Sequence, residues 1–199
     1  MVSKKRAREI MGGKSFFGVE EAIGYFGVNP TRRQVAALSE IPFSKAVLEQ
    51  SKDTHILIAV LPLSIIEIRD KVEKSLFSYD GAWKQPFADE RGEVSWELIS
   101  KTLVDNSTSK NWWEQKALLG DDEEIPTAQV MTYTIIGHYL ATGERMFGRV
   151  YVRTSSTDLG NDHVGVGLFN PANGLDIYTY WNETRGDLLG LAVSKTAEL

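Results

Sequence analysis

The chain of 199 residues has no cysteine. That excludes disulfides, thiolate nucleophiles and cysteine-based zinc sites. Histidine is nearly as scarce, with only His55, His138 and His163. No two of them have metal-ligand spacing and no HExxH occurs, so structural roles are expected for all three. A GxSxG nucleophile elbow is missing. GVGLFN, residues 165–170, alternates its glycines with strand formers instead of building a phosphate loop, so they are expected to permit close packing. Long apolar runs are missing too. ILIAVLPL, residues 56–63, falls well below the roughly 20 residues of a membrane helix. No continuous apolar segment follows the basic start, so no signal peptide is expected. Positive charge is in deficit: the net charge of −5 argues against a nucleic-acid partner. The one basic cluster, Lys4 to Arg8, is expected to be a solvated or disordered start.

What remains is the composition of a globular protein, 42% apolar and 25% charged. Residues 1–52 read as an N-terminal helical extension. Ser15 is expected to cap a helix bearing Phe16, Val19, Ile23 and Phe26, ended by Gly27. A second helix is expected at Asn29-Pro30, and a third behind Ser44. HILIAVL, residues 55–61, reads as a central strand. Ser64 to Glu67 is a capping box opening a helix to about Phe77. Residues 79–93 read as loop, and Val94, Trp96 and Leu98 as one face of a strand. A short helix follows near Trp112, then the acidic loop GDDEEIP, then a long helix from Pro126 to Thr142 closed by Gly143. The rest reads as a four-strand meander, in which Val150 and Val152 alternate with Tyr151 and Arg153. Asn173-Gly174 is its clearest hairpin signal. The order implies an α+β domain over residues 53–199 with a mainly antiparallel sheet.

Two short patterns have plain structural readings. DNSTS, residues 105–109, starts like a calcium loop, but Lys110 stands where that loop needs glycine, which leaves a capping turn. Asp158, Asn161 and Asp162 crowd one turn, where such residues are favoured without any ion.

The stretch GLDIYTYWNETRGDLLGLA, residues 174–192, asks for more. Strand alternation sends Leu175, Ile177 and Trp181 to the core and Asp176, Tyr178, Tyr180 and Asn182 outward. Three of the seven asparagines and two of the seven tyrosines fall within residues 170–188. Tyrosine offers wide amphipathic contact, while Asn, Asp and Thr offer adaptable hydrogen bonds, as in binding loops. The competing reading is plain propensity, Tyr and Thr for strands, Asn and Asp for turns.

With that C-terminal pattern and the strand-helix-strand-helix order before it, the chain resembles the variable proteins of diversity-generating retroelements, found in viruses, bacteria and archaea. The resemblance implies a C-type lectin-like fold with two helices and a variable region at about residues 164–192. There, adenine-directed copying exchanges outward residues between constant ones. It implies a ligand-binding protein for protein–protein recognition, not an enzyme, with no cofactor, no metal and no membrane insertion. The expected ligand-binding residues are Asn170, Asn173, Asp176, Tyr178, Tyr180, Asn182, Thr184, Asp187 and Leu188. The expected scaffold residues are Trp181, Arg185, Leu189 and Leu191. The partner is an unknown protein or surface ligand, and the setting cytoplasmic or virion- or surface-associated. A carbohydrate-binding module or small enzyme on the same fold is the alternative, favoured by calcium at the Asp158 to Asp162 turn. A DNA-binding regulator acting through the helical opening ranks below both.

Overall fold

The computed structural model describes residues 2–79, 81–82 and 85–197. The chain opens with β1 (Val2–Ser3) and α1 (Lys4–Met11), where Ser3 Oγ accepts from the Arg6 amide as N-cap. The basic cluster expected to be loose is therefore helical. It is held from outside: Arg8 pairs with Glu21 at 2.6 Å and lies 4.4 Å over the Phe16 ring. The helix expected from Ser15 begins later. Phe16 and Phe17 form β2, and α2 runs Val19–Phe26 to a left-handed Gly27. Two adjacent buried phenylalanines need both faces covered, and a strand beside another strand provides that. The next helix, α3 (Arg32–Ala37), starts at Thr31 and not at Asn29. Thr31 Oγ1 accepts from the Gln34 amide while Gln34 Oε1 accepts from the Thr31 amide, satisfying two donors at once. β3 (Glu40–Ile41) and α4 (Lys45–Ser51, capped by Ser44) follow.

Then come β4 (His55–Val60), α5 (Ile65–Lys71), β5 (Ser95–Ser100), α6 (Trp112–Lys116), β6 (Glu123–Glu124) and α7 (Ala128–Thr142). The Ser64 capping box forms, but α5 stops at Lys71 because Val72 turns extended. The chain then runs alongside the later strand that holds Leu175, whose carbonyl accepts from the Ser78 amide. Part of the expected 79–93 loop, at Asp80, Trp83 and Lys84, lies outside the described residues. The acidic loop is more than solvated charge, since Lys195 bridges Asp122 and Glu123. The last strands are β7 (Tyr151–Thr157), β8 (His163–Asn170), β9 (Gly174–Tyr180), β10 (Leu189–Leu191) and β11 (Ser194–Lys195).

Pairing among these strands departs from a simple meander. β7, β8 and β9 are antiparallel in sequence order, but β10 returns across the sheet to lie parallel to β7, giving the order β10-β7-β8-β9. β11 leaves for the other large sheet, ordered β2-β4-β5-β11-β6, while β1 and β3 make a separate pair. Long-range return of the chain end is invisible to local alternation. Helix α7 is buried on nearly every side and touches β2 and β4 of one sheet and β7 and β8 of the other. A helix apolar all round belongs between layers. The buried apolar side chains of residues 1–52 join those of 53–199 in one cluster, from Ala7 to Ala192. The protein is thus mixed α+β, with seven α-helices and three sheets among the described residues. None of those helices is long and apolar enough to cross a membrane.

Candidate functional site

One face of the β10-β7-β8-β9 sheet carries buried Val152, Val164, Val166 and Ile177, and its strands β7 and β8 meet α7. The other face carries Tyr151 and Arg153 of β7, Gly165 and Gly167 of β8, and Asp176, Tyr178 and Tyr180 of β9. Register sets Tyr151 opposite Gly167 and Asp176, and Arg153 opposite Gly165 and Tyr178. The middle strand is bare on that face, so side chains from its two neighbours reach across it. The Tyr151 hydroxyl donates to Asp176 Oδ2 over Gly167. Tyr180 lies over Gly165, where an added Cβ would come within 2.9 Å of its ring. Tyr151, Tyr180 and Tyr178 make a chain of edge-on contacts, 5.3 and 5.4 Å between centroids. Burial pushes the Tyr180 phenol up to about 12, and burial together with the Asp176 carboxylate raises Tyr151 as well. Both rings are neutral hydrogen-bonding groups at neutral pH.

Arg153, on the same face as Tyr151, is fully buried. Its Nη1 donates to Gln115 Oε1 at 2.9 Å and its Nη2 to the carbonyls of Trp181 and Thr184, each at 3.2 Å. Gln115, also buried, donates from Nε2 to the carbonyls of Ser107 and Leu189. Burial pushes the Arg153 guanidinium down to about 10, so it keeps its charge at neutral pH. Further backbone bonds tie the same loop: the Trp112 amide donates to Asn182 O, Ser109 to Gly186 O and Tyr151 to Leu188 O. The segment from Trp181 to Leu189 is therefore held by its carbonyls.

The expected contact residues divide by exposure. Tyr178 is 56% exposed and Leu188 50%, and Asn173 and Asp187 are exposed too. Asp176, Tyr180, Asn182 and Thr184 are half-buried. Asn170 is used internally, accepting from the amides of Ala172 and Asn173 and donating to Leu168 O, so it shapes the hairpin tip. Asn182 is engaged as well, with Oδ1 at 2.6 Å from His163 Nδ1, whose ring stacks on Trp112. Among the scaffold residues, Leu189 and Leu191 are buried as expected. Trp181 is not: its indole is 75% exposed. β9 ends at Tyr180 and Trp181 enters the turn, so alternation no longer governs its direction. Arg185 is exposed and pairs with Glu114 at 2.5 Å.

Two depressions flank Tyr178. One, about 290 Å³, lies among Tyr178, Thr179, Tyr180, Trp181 and Thr184. The other, about 690 Å³, lies between the hairpin tip and residues 75–79, with Asp176 and Tyr178 on its wall. A bulge shapes that tip: register shifts between Gly167 and Asn170, and Leu168 takes a φ of 45°.

In both flanking turns polar side chains accept from backbone amides. Asp158 Oδ1 accepts from the amides of Gly160 and Asp162, and Asp162 Oδ1 from that of Asn182. In DNSTS, buried Ser107 accepts from the Leu191 amide. No group of three or more His, Asp or Glu side chains is placed to hold a metal among the described residues.

Local pattern missed Arg153, Gln115 and Ser107, since a single polar residue gives no sign of a distant carbonyl. The alternating Gly165 and Gly167 did carry a signal, a bare strip that neighbouring rings would cover. No family model, curated protein or solved structure matches the chain.

Proposed function

We propose that the protein is a binding protein, not an enzyme, presenting an exchangeable surface on a C-type lectin-like scaffold rewritten by a diversity-generating retroelement. One observation carries this reading. The 181–189 loop is fixed through the carbonyls of Trp181, Asn182, Thr184, Gly186, Leu188 and Leu189. Every residue type supplies a carbonyl, so side chains there other than Asn182 and Arg185, which bond His163, Asn161 and Glu114, can change without loss of the bonds that hold the loop. Buried Leu175 and Ile177 alternate with outward Asp176 and Tyr178, and with buried Leu189 and Leu191 they supply the constant part. Exposed Tyr178, Trp181 and Leu188 give the surface its apolar contact area, the usual source of hot-spot energy. Trp181 thus moves from the expected core to the contact surface.

Two measurements test the proposal. The DNA beside the coding sequence is expected to hold a near-copy of its 3′ end, differing mainly at adenines, next to a reverse transcriptase gene. Absence of that copy removes the retroelement from the reading. Tyr178→Ser, Trp181→Ser and Leu188→Ser combined are expected to shift Tm by no more than about 6 °C, the sum of three ordinary surface substitutions. A collapse of the fold would assign those side chains to structure rather than recognition.

A further inference from the structure

We infer that the surface this chain carries recognises a basic side chain of its target, a lysine or arginine seated against Asp176 and Tyr178. The inference rests on the reading of this face as a recognition surface and names the chemistry of its ligand. Asp176 is the one charged side chain among the described residues lining the 690 Å³ depression; the others named with it are hydroxyl, amide, aromatic or aliphatic groups such as Ser75, Ser78, Tyr79, Asn173 and Pro171. The carboxylate is half-buried, and no lysine, arginine or histidine pairs with it among the described residues.

Its hydrogen bonding is incomplete in a useful way. Oδ2 accepts from the Tyr151 hydroxyl and Oδ1 from the Ile177 amide. A carboxylate offers about four acceptor directions, so two remain for a ligand. The Tyr151 bond also holds the group toward β7, which fixes where the charge sits before anything binds. Beside it stands the ring of Tyr178, exposed and buttressed edge-on by Tyr180. A cation over an aromatic face is attracted by the ring quadrupole, and a guanidinium can also form charge-assisted bonds with a carboxylate. An anion would meet the Asp176 charge, and a neutral apolar group would leave that charge without a partner.

Capped single residues, N-acetyl-arginine methylamide and N-acetyl-lysine methylamide, probe the site in the full chain by amide NMR. Capped citrulline, which has nearly the arginine shape without the charge, is the matched neutral probe. The cationic probes are expected to give saturable shifts at Asn173, Asp176 and Tyr178, at least tenfold tighter than citrulline. Asp176→Asn is expected to remove that tenfold preference while retaining the wild-type spectrum elsewhere. Equal binding of citrulline and arginine overturns the inference without touching the recognition surface itself. No saturable shift with either cation at millimolar concentrations overturns it as well, and the citrulline comparison stands even if the Asp176 variant folds poorly. Failure of the retroelement or surface-exchange tests is read separately, from DNA and from Tm.

Discussion

At the scale of single residues, Arg153 carries more than its place in a strand suggests. A buried guanidinium with three oxygen acceptors and no carboxylate partner stabilises by geometry, since its planar fork reaches Gln115 and two loop carbonyls together. Arg153→Met is expected to destabilise the fold by about 2–3 kcal/mol, because it leaves buried acceptors unpaired. Arg153→Lys is expected to recover only part of that, because one ammonium cannot span the same acceptors. Urea denaturation of the three proteins checks both statements; equal stability of all three would show that the loop does not depend on this residue. The residue's role was illegible in YVRTSST, where alternation only sets it on the face opposite Val152. Trp181 was read as core and is exposed. One cause underlies both residues. Period-two alternation describes a strand's own faces and says nothing of a loop folding over one of them, or of a turn that ends the strand.

At the scale of elements, β8 is the piece on which the site depends. Its glycines let Tyr151 meet Asp176 and Tyr180 settle on the sheet. A Cβ at Gly167 would lie 2.1 Å from the Val150 carbonyl oxygen and 2.7 Å from Tyr151 Cα, both of them backbone that cannot swing aside. Gly167→Ala is therefore expected to cost at least the about 1–3 kcal/mol typical of overpacking. Gly24, within α2, has nothing within 4 Å of its Cβ position, so Gly24→Ala is expected to stabilise by about 0.5–1 kcal/mol. Thermal melts of the two variants, made side by side, should move in opposite directions. No loss of stability in Gly167→Ala would mean that the space around β8 is not the reason for its glycine. Caps were the most legible elements: Ser44, Ser64, Gly27 and Gly143 all act where their residue types imply. The partner of β10 was not legible, because parallel pairing with β7 joins residues far apart in sequence.

At the scale of the whole molecule, one buried cluster unites the opening helices, α7 and both large sheets, and it draws all three histidines inward. Burial is the leading cause that lowers the pKa of His55, His138 and His163 below the ordinary 6.5. At His138 it outweighs the opposing pull of Glu144, 3.6 Å away. The unfolded chain then binds more protons than the folded one just below pH 6.5, so stability rises with pH there. The histidine contribution is complete above 6.5 and is lost as pH falls through the lower folded values. Tm is expected to decline between pH 6.5 and 5, ahead of the range where glutamates titrate. A Tm unchanged from pH 8 to 5 would place the imidazoles in solvent.

The sequence by itself determined the α+β class, the caps at Ser44, Ser64, Gly27 and Gly143, the central strand His55–Val60, the Asn173-Gly174 hairpin and the outward tyrosine at 178. These follow from interactions within a few residues of chain: caps, turn conformations and alternation. Tertiary structure alone decided that the last residues return to two different sheets, that Arg153 lies under the loop and that Trp181 stands above it. Those outcomes depend on which carbonyls and rings arrive from distant segments, and on the cost of leaving buried polar groups unpaired, which no local pattern records.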